Sequence, residues 1–379
     1  MSEIRVPPAL GESAAQPKWR PPSPSSITPI TLRNKSALGL MVMAALLAVV
    51  SVFSLGTGAA PVGPLQVLTA LAHQLGLALP WTVEPHHEAI VISIRIPRIL
   101  LGIVVGGGLA LSGAVMQGLF RNPLADPGLI GVSSGASVAA VAVIVLGTSV
   151  LGFATTTLGP FALSIAAFVG GTATTFLVYN LSRIRGRVSV STMLLAGIAI
   201  NAMAGAATGV FIFVADDAQL RNLTFWSMGS LAGATWTAIA SVAPLVGLST
   251  LALLRFARPL NALLLGEDEA GHLGFSVEQL KRSIIVLVAL AVGAAVAVAG
   301  IIGFVGLVVP HLLRLAFGPD HRMLLPGSAL LGATLLLCAD LIARTIVAPA
   351  ELPIGIVTAL IGGPFFIYLL QKGRRLGRY

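Results

Sequence analysis

The chain has 379 residues, is 56% hydrophobic and only 10% charged, and has a mean hydropathy of +0.95. No soluble domain of this length could hide so much apolar surface, so lipid is the solvent, and backbone pairing inside lipid leaves helices or a closed barrel. The net charge of +9 resides in basic residues lying between hydrophobic runs, with no aromatic-interleaved basic face; it marks orientation in a membrane and argues against a nucleic-acid partner.

Residues 1–35 carry Pro7, Pro8, Pro17, Pro21, Pro22, Pro24 and Pro29 with almost no apolar periodicity and read as a disordered cytoplasmic tail without a signal peptide. From 36 to 372 the apolar runs are helical in length, which predicts an all-α polytopic membrane protein rather than a barrel. Ten spans are expected, at 36–59, 96–118, 131–150, 158–181, 191–214, 235–256, 282–301, 305–317, 324–346 and 354–371. The eighth is short and contains Pro310, so it reads as tilted, broken or only partly spanning. Residues 373–379 form a basic tail.

Ten spans put both termini on one side. With that side cytoplasmic, 19 of the 23 Lys and Arg residues lie inside, as the positive-inside rule requires. The exceptions are Arg95, Arg98, Arg221 and Arg344. Arg95 and Arg98 precede a glycine-rich span with Gly102 and Gly106, which ends in the proline-broken turn Arg121–Pro127. In the fifth span Gly197, Asn201, Gly205 and Gly209 recur every fourth residue. That stripe serves close helix packing, or lines a passage with Asn201 as a polar group, or both.

No Walker A pattern, HExxH, GxSxG or paired intramembrane carboxylate is present, so no catalytic residue is expected and energy must come from another subunit. Cys338, the single cysteine, reads as a buried structural thiol, and no metal site is expected. Asp340 and Arg344 form an i,i+4 pair near the outer end of span nine and make a poor ion-coupling site, which weighs against a secondary carrier. The connection at 259–281 reads as two short helices divided around Gly266 and Gly274, with Leu263, Leu264, Leu265, Leu273 and Phe275 dense enough to dock a cytoplasmic partner.

Several uncommon strings then occur in fixed order: Arg95-Ile-Pro-Arg98, Ser112–Gln117, Arg121–Gly128, Gly131–Gly135, Gly266-Glu267 with Leu273-Gly274, Gly303–His311, Asp320-His-Arg322 and Ala350–Gly355. With these the chain resembles the FecCD/BtuC-like permeases, membrane subunits of type II ABC importers for iron-siderophores, haem and cobalamin. The resemblance implies a homodimer of ten-helix subunits in the bacterial inner membrane, with the passage on the two-fold axis. It implies two ABC ATPase subunits below, supplying ATP hydrolysis, and a periplasmic substrate-binding protein above. Arg95, Arg98 and Arg344 match the arginines that meet acidic groups on that binding protein. Gly266, Glu267, Ala270, Leu273 and Gly274 match the coupling helices that sit against the ATPase. Val190 and Ser191 match the inner gate, where Val190 departs from the two hydroxyl residues of a cobalamin-type relative.

For the substrate, Met203, Phe211 and Phe213 suit a bulky apolar ligand, and Arg221 could attract carboxylates such as haem propionates. His86 and His87 read as an exposed loop pair rather than iron ligands, and His311 and His321 as structural. The string Gly118–Gly135 is most similar to the haem-importing branch, so haem is the expected substrate, with no permanently bound cofactor. Ferric siderophore and cobalamin are the alternatives.

Overall fold

A computed structural model describes residues 29–375 apart from 59, 78, 148–149 and 185–186. The early part of the proline-rich tail, Arg185 and the end of the basic tail therefore lie outside the described residues. The described residues are predominantly helical. In order come α1 (Pro29–Gly56), α2 (Pro64–Gln74), α3 (Pro85–Ala89), α4 (Ile96–Leu119), α5 (Val132–Leu146), α6 (Gly152–Leu158), α7 (Ala162–Leu181) and α8 (Val190–Val214). There follow α9 (Asp217–Ser227), α10 (Trp236–Leu254), α11 (Ala257–Leu263), α12 (Glu267–His272), α13 (Val277–Ala299), α14 (Val305–Phe317), α15 (His321–Thr345) and α16 (Ile354–Arg375). A two-stranded hairpin, β1 (Arg183–Ile184) with β2 (Arg187–Val188), connects α7 to α8.

All ten expected spans are present, as α1, α4, α5, α7, α8, α10, α13, α14, α15 and α16. Among the described residues, seven helical stretches are long and apolar enough to cross a bilayer, while Val132–Leu146, Val305–Phe317 and Ile354–Leu369 are shorter. The first helix starts at Pro29, ahead of the expected 36. The second is longer than expected, because α3, a π-helical turn at Ile90–Arg95 and α4 run on without a break.

The centre of the molecule is α4, packed against α15, α10, α14 and α13. Its glycines make that possible. A Cβ on Gly113 would come within 1.9 Å of the Gly306 carbonyl oxygen, so α4 and α14 touch backbone to backbone. The short α14 follows Phe304, a left-handed residue (φ 69°), and Gln117 on α4 donates to the Gly306 carbonyl at 3.1 Å. The eighth span is therefore short but unbroken, and its start is satisfied by the protein around it rather than by lipid. Helix α8 is the opposite case: it packs on α5 and α7, yet few of its side chains are buried.

Candidate functional site: two faces and a cavity

The face that carries α11, α12 and the hairpin is the basic one; the other face holds the helix ends near Arg95 and Arg344. At that second face, α4 and α15 bring their charges together. Arg98 Nη2 donates to Asp340 Oδ1 at 2.8 Å and to Glu351 Oε2 at 2.9 Å, and its Nε and Nη1 complete both forks. Arg344 Nε lies 3.5 Å from Asp340 Oδ2, and its Nη2 donates to the Ser54 carbonyl at 2.9 Å. Arg95 donates to the Leu55 and Ala60 carbonyls.

The expectation for these three arginines is contact with acidic groups of a binding protein. They are 3%, 6% and 5% exposed for Arg95, Arg98 and Arg344, and each makes hydrogen bonds within the chain, while the buried Arg344 Nε has no hydrogen-bond partner among the described residues. The reason is electrostatic: a guanidinium at the edge of an apolar bundle is stabilised by a buried carboxylate, and the planar fork takes two at once. Asp340 therefore pairs chiefly with Arg98, across 242 residues, rather than with Arg344 on its own helix. Glu351, which sequence reasoning missed, is the more accessible member of the group. Its only sequence signal was its place in the Ala350–Gly355 string.

The stripe on α8 divides into two. At Gly197 a Cβ would meet the Leu129 carbonyl oxygen at 1.8 Å, so this end packs tightly. At Gly205 and Gly209 nothing lies within 4 Å. Those two glycines line a cavity of about 420 Å³ together with Ser133, Ser134, Ser137, Asn201 and Thr208. Asn201 accepts from Ser134 Oγ at 2.6 Å and donates to the Gly128 carbonyl at 3.2 Å, so it ties the cavity wall together. Sequence reasoning missed the three serines of α5. Met203 and Phe213 are exposed, whereas Phe211 is half-buried and packs against the Val141, Val145 and Leu223 cluster. Arg221 is exposed on α9, in a shallow depression with Asp217 and Phe225.

The Arg121–Pro127 turn is a tight return. Arg121 has φ 48°, Asn122 accepts from the Leu124 N–H at 2.9 Å, and Asp126 accepts from the Gly128 N–H at 2.7 Å. At the same end, His321 is buried and its N–H donates to Asn261 Oδ1 at 2.9 Å, tying α15 to α11. His311 lies beside Phe365 and Phe366. Cys338, expected to be buried, is half-buried.

On the basic face, α11 and α12 form the expected pair of short helices. Gly266 (φ 140°) and Gly274 (φ 88°) take conformations that L side chains rarely adopt and so set the two bends. Ala270 is fully buried, while Leu264, Leu265 and Leu273 are 43%, 69% and 60% exposed. Leu263 and Phe275 point inward instead, Leu263 into the core and Phe275 half-buried against it. Lys281 is buried beneath α12 and donates to Glu267 Oε2 at 2.7 Å. Val190 is half-buried and Ser191 exposed at the start of α8, whose N-cap Ser189 accepts from the Thr192 N–H.

Among the described residues, one grouping could hold a metal ion. Glu84, His86 and His87 bring their ligand atoms within 4.8 Å of one another, and the two imidazole rings are 4.1 Å apart. Rings that close leave no room for a porphyrin between them.

Residues 46–372 match the FecCD transport family. The chain belongs to that family. It is 50% identical over 283 residues to the hemin transport system permease protein HmuU of Yersinia pestis, covering 75% of this chain and 83% of that protein. It is 43% identical to the cobalamin import system permease protein BtuC of Halobacterium salinarum, covering 90% and 89%. A solved structure of a metal-chelate type ABC transporter in an inward-facing conformation matches with a TM-score of 0.74 and 34% identity, over 88% of this chain and 98% of that one. As a FecCD member with multiple apolar helices, the chain is a multi-pass membrane permease subunit of the ABC importer type.

Proposed function

We propose that the chain imports haem as a homodimer, with both termini cytoplasmic, and that the exposed side of α8 and the serine-lined cavity form its half of the passage. The observation that carries the substrate is the 50% identity to a hemin permease. The cavity supports the same reading: Ser133, Ser134, Ser137 and Thr208 offer neutral hydroxyl donors and acceptors. Such groups can meet propionates in passing without the deep trap that a buried cation would set. The rest of the exposed α8 face is apolar, as the macrocycle requires.

On this reading the exposed leucines of α11 and α12 dock one of two ATPase subunits, with Gly266, Glu267, Ala270, Leu273 and Gly274 shaping the contact, and Val190 and Ser191 form the inner gate. A periplasmic binding protein delivers at the opposite face. There the arginines have a changed part: Arg95, Arg98 and Arg344 hold the rim in shape, and Glu351 and the exposed rim residues make the contact. Arg221 sits where an approaching carboxylate would first meet a positive charge.

ATP-dependent uptake in liposomes, with the cognate ATPase and binding protein, tests the proposal by comparing haem, cobalamin and a ferric siderophore. Haem uptake is expected. Uptake of cobalamin alone would favour the second reading, which the likeness to cobalamin permeases over most of the chain supports. Uptake without ATPase would overturn the importer.

A further inference from the structure

One residue next to the inner gate is held on both sides of its backbone by a single helix. The Val188 N–H donates to the two carboxylate oxygens of Glu278, at 3.0 and 3.1 Å, and its carbonyl accepts from Lys281 Nζ at 3.1 Å. The same Nζ donates to Glu267 at 2.7 Å. Glu267 is the first residue of α12, and Val188 ends β2, immediately ahead of Ser189 and the first turn of α8. One ammonium group therefore touches both the docking helix and the strand that leads into Val190.

These two parts face each other across a cleft. A cleft of about 590 Å³ lies between them, with Ile184 and Arg187 on one wall and Asp268 and Gly271 on the other, and Lys281 and Glu278 line it too. Close-packed elements pass a displacement through many contacts, but across an open cleft it passes only through the groups that bridge it. Lys281 is suited to that task because it is 4% exposed. If Glu267 moves, the buried charge either follows or loses its carboxylate in a poorly solvated place, and leaving it unpaired is the costly choice. Following moves the Val188 carbonyl, and with it the start of α8.

We propose that Lys281, aided by Glu278, is a positioning residue that transmits displacement of α12 to the gate helix α8. The proposal rests on reading α11–α12 as the ATPase dock and Val190–Ser191 as the gate. It assigns the link between them to hydrogen bonds from the first turns of α13 rather than to packing between the two parts.

The test uses the whole importer in liposomes with Lys281→Met, which keeps side-chain length and removes the donors. Four quantities are read: ATPase subunits retained on purification, ATP hydrolysis, haem taken up per ATP, and the nucleotide-dependent distance between spin labels at Val190→Cys in the two copies, in a Cys338→Ala background. The variant is expected to keep its ATPase and hydrolyse ATP within about twofold of wild type. Uptake per ATP should fall by about tenfold, within the usual range of coupling between linked sites, and the label distance should stop responding to ATP. Lys281→Arg, which restores donors to both acceptors, should recover both readouts.

Unchanged uptake per ATP with an unchanged label response would overturn the proposal. So would loss of the ATPase on purification, which would make Lys281 a support for the docking surface alone. If Lys281→Met fails to accumulate, Glu278→Leu, which frees the Val188 N–H and leaves the Lys281–Glu267 pair intact, is held to the same readouts. If the wild-type importer moves none of the three ligands, the transport reading fails. The label response of wild type against Lys281→Met still decides the link.

Discussion

Asp340→Asn removes one charge from a buried cluster and leaves two guanidinium groups to be satisfied by what remains. Arg98 keeps Glu351, whose side chain is 38% exposed, whereas Arg344 loses the carboxylate 3.5 Å from its Nε. Removing one partner of a buried ion pair costs about 3–5 kcal/mol, and the retained Glu351 places this case near the lower end, at about 3 kcal/mol. An unfolding entropy of about 2.1 cal/mol/K per residue over roughly 350 residues gives about 1.4 °C per kcal/mol, hence a fall in midpoint of about 4 °C. Spans that stay helical on unfolding in detergent gain less entropy, so this is the smallest fall expected. Glu351→Gln, at the accessible end, should cost only about 0.5–1 kcal/mol. Thermal unfolding of the purified dimer measures both. If Asp340→Asn melts with wild type, or if Glu351→Gln is equally damaging, the arginines are not held by a buried clamp. Intact melting combined with lost stimulation by the binding protein would return them to a direct docking role.

Three further outcomes are expected. Gly197→Ala should destabilise by about 1–3 kcal/mol because its new methyl group has no room beside Leu129, whereas Gly205→Leu, with open space around it, should leave the midpoint unchanged and block haem uptake in liposomes. Asp320 caps α15 and accepts from Asn261 Nδ2 at 2.6 Å, so Asp320→Ala should cost about 1 kcal/mol. Burial alone would raise its carboxyl, but the Arg322 N–H and Asn261 hold it below its ordinary range; this stabilisation is present above the unfolded carboxylate value and is lost as pH falls through the folded one, and acid titration of stability should show Asp320→Ala losing that component. Replacing Leu264, Leu265 and Leu273 together by serine should weaken capture of the ATPase on purification while thermal unfolding changes little, because all three side chains are largely exposed.

The spans were legible because a bilayer imposes length and polarity on every helix that crosses it. The bends around α12 were legible too, since Gly266 and Gly274 flank a short acidic run that could only be a helix start. What the sequence concealed was pairing at a distance. Asp340 and Arg344 satisfy a local i,i+4 rule, so the local partner was the natural choice; the stronger partner, Arg98, is 242 residues away and is brought in by α4–α15 packing. The stripe on α8 was ambiguous for a related reason. Small residues every fourth position permit close packing but do not say how far along the helix a neighbour extends. Here the return at Leu129 reaches Gly197 and stops short of Gly205. The serines of α5 escaped notice because hydroxyls in a membrane helix usually bond their own backbone, and only the Asn201 contact distinguishes Ser134.

The placement of charge along the bundle bears on how it can work. Ionic clusters lie at both ends, Arg98–Asp340–Glu351–Arg344 at one and Glu267–Lys281–Glu278 at the other, while the cavity is lined by uncharged groups: hydroxyls, an amide, glycines and the apolar Ala204, Ile212 and Ile301. The first cluster ties α4 to α15 through the buried Arg98–Asp340 pair, which stiffens that end. The second bridges an open cleft with few groups, which makes that end the one able to shift. On the proposed reading, transport needs no charged group in the passage: force applied at α12 would move α8 against the core of α4, α13 and α15, and the neutral cavity wall would let an amphipathic ligand slide past. Adding a fixed charge to the wall, as in Ser137→Asp, should therefore stall uptake of an anionic ligand more than it alters ATP hydrolysis. Uptake unaffected by that charge would mean the ligand travels elsewhere.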